Sequence, residues 1–446
     1  MGPRTSFRGV FLPPQKVSNP AIEDAPLPQR VILPLGQDGD RLCHPVVNVG
    51  EPVKTGQLLG QSAHFLTAPV HASISGRVAD IRPWFNPSGS EILSVIVESD
   101  GNDAWQEEFR SDARFLEKER VQILANLKAA GVVEIGPPAM PLHAKFGKPE
   151  PSREYLFLVG IPPAKPIDTV IINSIDAEPG MAAKGAILQE HREEITAGIK
   201  IIQKLVGSAQ VVLAVSSNGS SNLALTSELA GLGVRVFRGK DKYPLGLSPI
   251  LVKSVTGREI PLPNGRDQDI GVAVVDAVAL VHLVEAVREL KPQVEKVLSV
   301  SGAGMTAVKN YRVRLGTPVK DLLKQLGGLK AEPVKVIAGG AMTGMALFST
   351  DIPVTKEMDA LIFQTTEEAT SFSSDGCINC GLCVRHCPAR LLPSELSKYC
   401  EFNMFEEAKD KYLLHCIECG ICAYVCPEKR PMLHLLRFGK RELSLT

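Results

Sequence analysis

The sequence predicts a multidomain chain, mixed α/β and β, that closes in a small cysteine-rich helical domain. Three observations carry this prediction. Residues 30–98 hold only short alternating apolar runs, VILPL, QLLG, ISGRVADI and ILSVIVES, punctuated by Gly, Pro and Asp. Residues 114–290 alternate apolar strand-like runs with helical stretches of a dozen residues or more, the pattern of a parallel sheet wound in βαβ units. Residues 376–427 contain the spacing C-x2-C-x2-C-x3-C-P twice.

In chain order, residues 1 to about 30 are proline-rich and without periodicity (FRGVFLPPQK, DAPLPQR), which predicts an extended arm. GEPVKTGQLLG followed by APVHASISGRV is similar to the barrel-sandwich fold of lipoyl and biotinyl carriers. Those carriers need a lysine at the exposed hairpin tip. The tip region here reads QSAHFLTA, so a swinging arm is not expected. His64 and His71 lack a neighbouring cysteine or carboxylate that would make them metal ligands, and are expected to be structural. Arm and barrel together make a first unit, 1–112.

The second unit, 113–290, starts with a helix over about 114–130. The strand DTVIINS ends at Asn173, a helix follows over about 182–205, then come QVVLAVS, a helix near 221–232, and VRVFR. Ligands of such sheets bind at the carboxyl ends of strands, so the loops after Asn173 and Val215 are candidate sites. The third unit, 291–368, sets short strands around the helix VKDLLKQLGG and reads as a β-grasp domain. Its GGAMTG loop lacks the lysine and Ser/Thr of a P-loop and is expected to be structural.

The fourth unit, 369–446, carries the chemistry. Three thiolates at two-residue spacing, on a short turning loop, can wrap one corner of an iron–sulfur cube. In paired motifs the fourth cysteine ligates the other cluster. One [4Fe–4S] cluster is therefore assigned to Cys377, Cys380, Cys383 and Cys426, the other to Cys416, Cys419, Cys422 and Cys387. Pro388 and Pro427 complete the motif. Zinc sites use ligands in two pairs, and disulfide frameworks belong to small secreted chains, so neither fits two runs of four. Residues 393–409, between the runs, have helical periodicity. The tail PMLHLLRFGKREL predicts a basic amphipathic helix, able to meet a membrane surface or a partner, or to dock on its own domain.

The bulk numbers exclude several classes. Lys plus Arg equals Asp plus Glu at 49 each, so no global field recruits nucleic acid or an anionic membrane. Eight of the ten cysteines fall in the two runs, which implies a reducing compartment. Cys43 and Cys400 are left over, as buried small apolar residues. No run reaches the roughly 18–20 apolar residues of a membrane span. The best candidate, 270–287, is broken by Asp276, His282 and Glu285 and reads as a core strand and helix.

This order of parts resembles the C subunit of the Rnf electron-transport complex along nearly the whole chain. FRGVFLPPQK, APVHASISGRV, KYPLG, VTGREIP and CIECGICAYVCP carry the resemblance. The second unit is similar to the flavin- and NADH-binding subunit of respiratory complex I. The resemblance implies a peripheral subunit on the cytoplasmic face of the cell membrane. Its implied partners are the other subunits of an ion-translocating oxidoreductase and a ferredoxin-like redox protein. It implies FMN and NADH as well as two [4Fe–4S] clusters.

One departure changes that expectation. The family's flavin loop, approximately G-x-G-G-A-G-F-P-T-H-x-K, is here Glu134-Ile135-Gly136-Pro137-Pro138-Ala139-Met140-Pro141-Leu142-His143-Ala144-Lys145. Pro137 and Pro138 delete two backbone N–H donors, and Ala139 places a Cβ where a glycine allowed close approach. Met140 replaces the family's aromatic. The N-A-D-E-S-E-P-G signature survives in part as Asn173 to Gly180, and Lys145 is retained. An E-D-N-like triplet is Ser217-Asn218-Gly219, without acids. Lys145, Asn173, Asp176 and Glu178 are thus read as the remnant of a flavin and nucleotide site. NADH oxidation and FMN are expected to be lost, which leaves an iron–sulfur relay. The alternatives are an FMN-containing subunit that oxidises NADH or reduces NAD, and a soluble flavin/iron–sulfur reductase of the cobalamin-reductase type.

Overall fold

A computed structural model describes residues 7–13, 21–36, 42–106, 109–134, 139–147, 165–207, 209–217, 228–306, 308–373 and 375–445. Pro137, Pro138 and most of the expected helix near 221–232 lie outside them.

The first unit is a barrel-sandwich. One antiparallel sheet is built from Arg30–Pro34, Glu91–Ser99, Gly76–Phe85 and Pro52–Val53, and a smaller one from His44–Pro45, Leu58–Gln61 and Val70–His71. Alternation places Val31 and Leu33, Val78, and Val95 and Val97 in the shared core. That core also takes Leu315 from far along the chain, and the Ser73 hydroxyl donates to the Leu315 carbonyl at 2.5 Å. Within the stretch expected as an extended arm, Ile22–Asp24 forms a strand parallel to 310–312, at the edge of the β-grasp sheet.

Four parallel strands form the second unit, in the order Arg235–Gly239, Gln210–Ser216, Thr169–Asn173, Val272–Asp276. The two central strands are apolar on both faces, as a sheet covered on both sides requires. Helices Arg192–Val206 and Ala277–Arg288 bury their apolar faces on one side, and Ser248–Thr256 covers the other. The expected helix over 182–205 is two helices, Ala183–Glu190 and Arg192–Val206, broken at His191. The first helix ends at Gly131, whose φ of +63° brings its backbone against Pro69. A Cβ there would meet the Pro69 carbonyl at 2.5 Å, so the turn and the approach of the barrel both require glycine.

The third unit is a six-stranded mixed sheet around helix Val319–Gln325. In the fourth, the stretch 393–409 is two helices, Pro393–Glu401 and Phe405–Asp410, parted at Asn403 with φ +58°. The tail helix, Met432–Leu445, docks on its own domain: Met432, Leu433 and Leu436 are buried. A Cβ on Gly439 would come within 2.4 Å of the Cys400 sulfur. No helix among the described residues is long and apolar enough to cross a membrane.

Candidate iron–sulfur centre and remnant nucleotide site

The two cysteine runs fold as structural repeats. In C-I-N-C-G and C-I-E-C-G, Asn379 and Glu418 take φ of +56° and +53°, and Gly381 and Gly420 both take +73°. After the fourth cysteines, Arg390 and Lys429 follow suit at +58° and +47°. Left-handed residues at matching positions coil each loop around its own sulfurs before the short helices Leu382–His386 and Ile421–Tyr424. Backbone amides point the same way: Leu391 N–H donates to the Cys387 sulfur and Glu418 N–H to the Cys416 sulfur, each at 3.4 Å.

Each loop faces a cavity. One is lined by Cys377, Cys380, Cys383 and Cys426, with Ile378 and Met432. The other is lined by Cys387, Cys416, Cys419 and Cys422, with Leu396, Ile417 and Leu436. Each therefore gathers three cysteines of one run and the fourth of the other. Four sulfurs around an apolar-walled space suit a cubane cluster, which supplies one-electron redox chemistry when bound. No three His, Cys, Asp or Glu side chains among the described residues are grouped to hold a single metal ion.

The two cavities differ in setting. Cys380 is exposed, Cys377 and Cys426 are half-buried, and Ile378 stands 60% exposed at the first rim. At the second, Cys387, Cys419 and Cys422 are buried, and other units close over them. Tyr243 of the α/β unit donates its hydroxyl to the Cys419 carbonyl at 2.7 Å. A Cβ on Gly420 would meet the Met342 carbonyl of the GGAMTG loop at 2.5 Å, so this glycine is required by close approach as well as by its φ. Arg437 bridges Glu418, at 2.9 Å, and the Thr343 carbonyl, at 2.7 Å.

The four remnant residues are all engaged within the protein. Lys145 is buried, donates to Glu134 and to the Val274 carbonyl, and lies 3.2 Å from Asp267. Burial opposes its charge, but Asp267 and Glu134 outweigh it and raise its pKa. Burial likewise raises the Glu134 carboxyl, with Lys145 pulling the other way. The Asn173 amide donates to the Gly246 carbonyl at 3.0 Å, and its oxygen accepts from Ile175 N–H at 3.1 Å. Asp176 accepts from Lys184 and Gly185 N–H at 3.0 and 2.9 Å, and so caps helix Ala183–Glu190. Glu178 accepts from Met342 and Thr343 N–H at 2.6 and 3.1 Å and from the Thr343 hydroxyl. Gly340 lies so close that its Cβ would fall 2.0 Å from Glu178 Oε2. The donors and acceptors of these four side chains are met within the protein itself.

Sequence reasoning missed Glu134, Asp267, Thr343 and Tyr243. Glu134 was visible as an acid standing where the flavin loop begins with glycine. Tyr243 lies inside the KYPLG motif. His71 is buried as a structural histidine should be, and burial, then Lys356, pushes its pKa down to about 3. His64 accepts from Leu66 N–H at 3.2 Å, in a local turn.

Four family models match in chain order: RnfC barrel sandwich hybrid domain at residues 5–102, Nuo51 FMN-binding domain at 127–289, SLBB domain at 297–346 and 4Fe-4S dicluster domain at 369–427. The C subunit of the proton-translocating ferredoxin:NAD(+) oxidoreductase complex of Clostridium ljungdahlii is 34% identical over 442 residues, 98% of this chain and 94% of that one. The chain belongs to the RnfC family. The Na(+)-translocating counterpart from Acetobacterium woodii is 32% identical over 98% of this RnfC chain and 97% of its own. The C subunit of the ion-translocating oxidoreductase complex of Yersinia pestis is 33% identical over 98% of this chain and 69% of its own. The expected fold class, with its barrel-sandwich, complex I-like, β-grasp and two-cluster parts, agrees with these models.

Proposed function

We propose that this RnfC chain is a peripheral iron–sulfur electron-transfer subunit of a membrane-bound Rnf-type oxidoreductase. It connects a soluble ferredoxin-like protein with the membrane subunits at the cytoplasmic face. Cys377, Cys380, Cys383 and Cys426 hold one [4Fe–4S] cluster; Cys387, Cys416, Cys419 and Cys422 hold the other. The observation that carries this is the pair of cavities, each lined by three cysteines of one run and one of the other. The relatives' names, each a subunit of a ferredoxin:NAD(+) or ion-translocating oxidoreductase complex, support the setting.

The chain works without FMN and without oxidising NADH itself. A phosphate cradle at a helix N-terminus needs free backbone amides. Pro137 and Pro138 remove amides from the loop. The Lys145 cation is held by Glu134 and Asp267, and Glu178 by the 340–343 loop. The units 1–112, 113–290, 291–368 and 369–446 then serve as arm and barrel, spacer, clamp and conductor.

The test is anaerobic purification with iron, acid-labile sulfide and acid-released flavin measured together. The expected result is iron and sulfide for two cubane clusters, no flavin, and a spectrum that NADH leaves unbleached. Stoichiometric flavin with bleaching by NADH overturns the reading in favour of an FMN-containing subunit.

A further inference from the structure

The second cysteine run is held from outside its own domain by one buried hydroxyl. Tyr243 is 4% exposed and donates to the carbonyl of Cys419, which lines the second cavity. Val10, Tyr243, Cys419 and Ile421 form one buried apolar cluster. The tyrosine is itself fixed by backbone. Val10 N–H donates to the Tyr243 carbonyl at 3.0 Å, and Tyr243 N–H returns a bond to the Val10 carbonyl at 2.9 Å. Beside this bridge the arm reaches the first run, where Arg8 donates to the Val384 carbonyl at 3.0 Å and His386 meets the Gly9 carbonyl at 3.2 Å. Gly9 is needed there, because a Cβ would strike the Tyr243 carbonyl at 2.1 Å.

We propose that Tyr243 is a positioning residue for the second cluster: its hydroxyl orients the Cys419 carbonyl and thereby sets that cluster's reduction potential. The inference rests on the assignment of Cys387, Cys416, Cys419 and Cys422 to one cluster. Cluster potentials follow the dipoles and hydrogen bonds around the sulfurs and the exposure of the site. The phenolic proton is the positive end of a dipole aimed at a ligand's peptide group, in a buried place where dipoles act strongly. It favours the more negative, reduced cluster. Among the described residues, no side chain of another unit bonds to a cysteine of the first cavity in this way; Arg430, which donates to the Asp375 carbonyl at 3.1 Å, belongs to the same domain.

The experiment is an anaerobic redox titration of the full chain followed by EPR, for wild type and Tyr243→Phe. Cys387→Ala identifies which signal belongs to the second cavity. The expected result in Tyr243→Phe is a fall in that signal's midpoint, with the other midpoint unmoved and iron complete. Complete iron with both midpoints unmoved, or both moved alike, overturns the proposal. Should Tyr243→Phe lose iron, 3-fluorotyrosine at position 243 keeps the shape and strengthens the donor. The second midpoint then rises, or the proposal fails. Wild-type protein with iron for fewer than two clusters defeats the cluster assignment instead, before any variant is compared.

Discussion

The ammonium of Lys145 lies 3.2 Å from the carboxylate of Asp267, with Glu134 bonded to it as well. Glu134 and Lys145 bracket the stretch 134–145, and Asp267 reaches them from the short helix Asp267–Ile270. An ion cluster buried this deeply is stable only while complete, because each charge left alone has lost its water.

Lys145→Met should therefore destabilise the chain by about 3–5 kcal/mol, as expected when one partner of a buried pair is removed. Adding Glu134→Gln to Lys145→Met should recover part of that loss. Urea unfolding of both singles and the double gives the coupling energy, expected to be at least about 1 kcal/mol. Purely additive losses would mean that the two side chains act independently.

Glu178 and Gly340 should behave as one contact. Glu178→Ala leaves the Met342 and Thr343 amides without their acceptor, at a cost of about 2–4 kcal/mol. Gly340→Ala drives a Cβ into the same carboxylate. In the double variant the losses should fall well short of their sum, measured by thermal unfolding under argon. The site can be disrupted only once.

The first cluster should be the fragile one. Cys380 is exposed whereas Cys387, Cys419 and Cys422 are buried, so ferricyanide or a chelator reaches the first cavity sooner. EPR during timed oxidation should show one signal decaying severalfold faster. Cys426→Ala should abolish that signal and Cys387→Ala the slower one. The reverse outcome refutes the crossed assignment.

Acid should weaken the barrel and the short helix of the second unit that meets it at the Phe65 carbonyl. Burial holds His71 neutral with a pKa pushed down to about 3, and His143 similarly, to about 4. Each takes up a proton more readily when unfolded, at about 6.5. Their contribution, a few kcal/mol together by order of magnitude, is fully present above about pH 6.5 and is lost as pH falls towards 4 and 3. Urea midpoints followed by tryptophan fluorescence should drop between pH 7 and 4.5. His71→Gln should flatten that slope.

Legibility in the sequence followed the range of the interaction. Cysteine spacing is local chemistry, so the two runs could be read directly from the sequence. Strand runs such as DTVIINS were readable because their neighbours are all apolar. The helix break at His191 was not, since neither Gly nor Pro marks it. Nor did Glu418 announce a left-handed backbone, a conformation that tertiary packing imposes on a residue with no preference for it. Lys145, Asn173, Asp176 and Glu178 were found by motif, but a motif names residues and not their partners. Glu178 meets a loop more than 160 positions away.

The strand Ile22–Asp24 pairs with residues 310–312, and the barrel's core is completed by Leu315. On a ribosome the opening segment therefore waits for most of the polypeptide to emerge before it finds its place. Contacts so distant along the chain form late and slowly, and an unpaired strand is exposed meanwhile. An isolated fragment ending near residue 112 would lack a core side chain and a strand partner, so it should express poorly on its own. A chain nascent in the cell faces the same interval, in which a chaperone has something to hold.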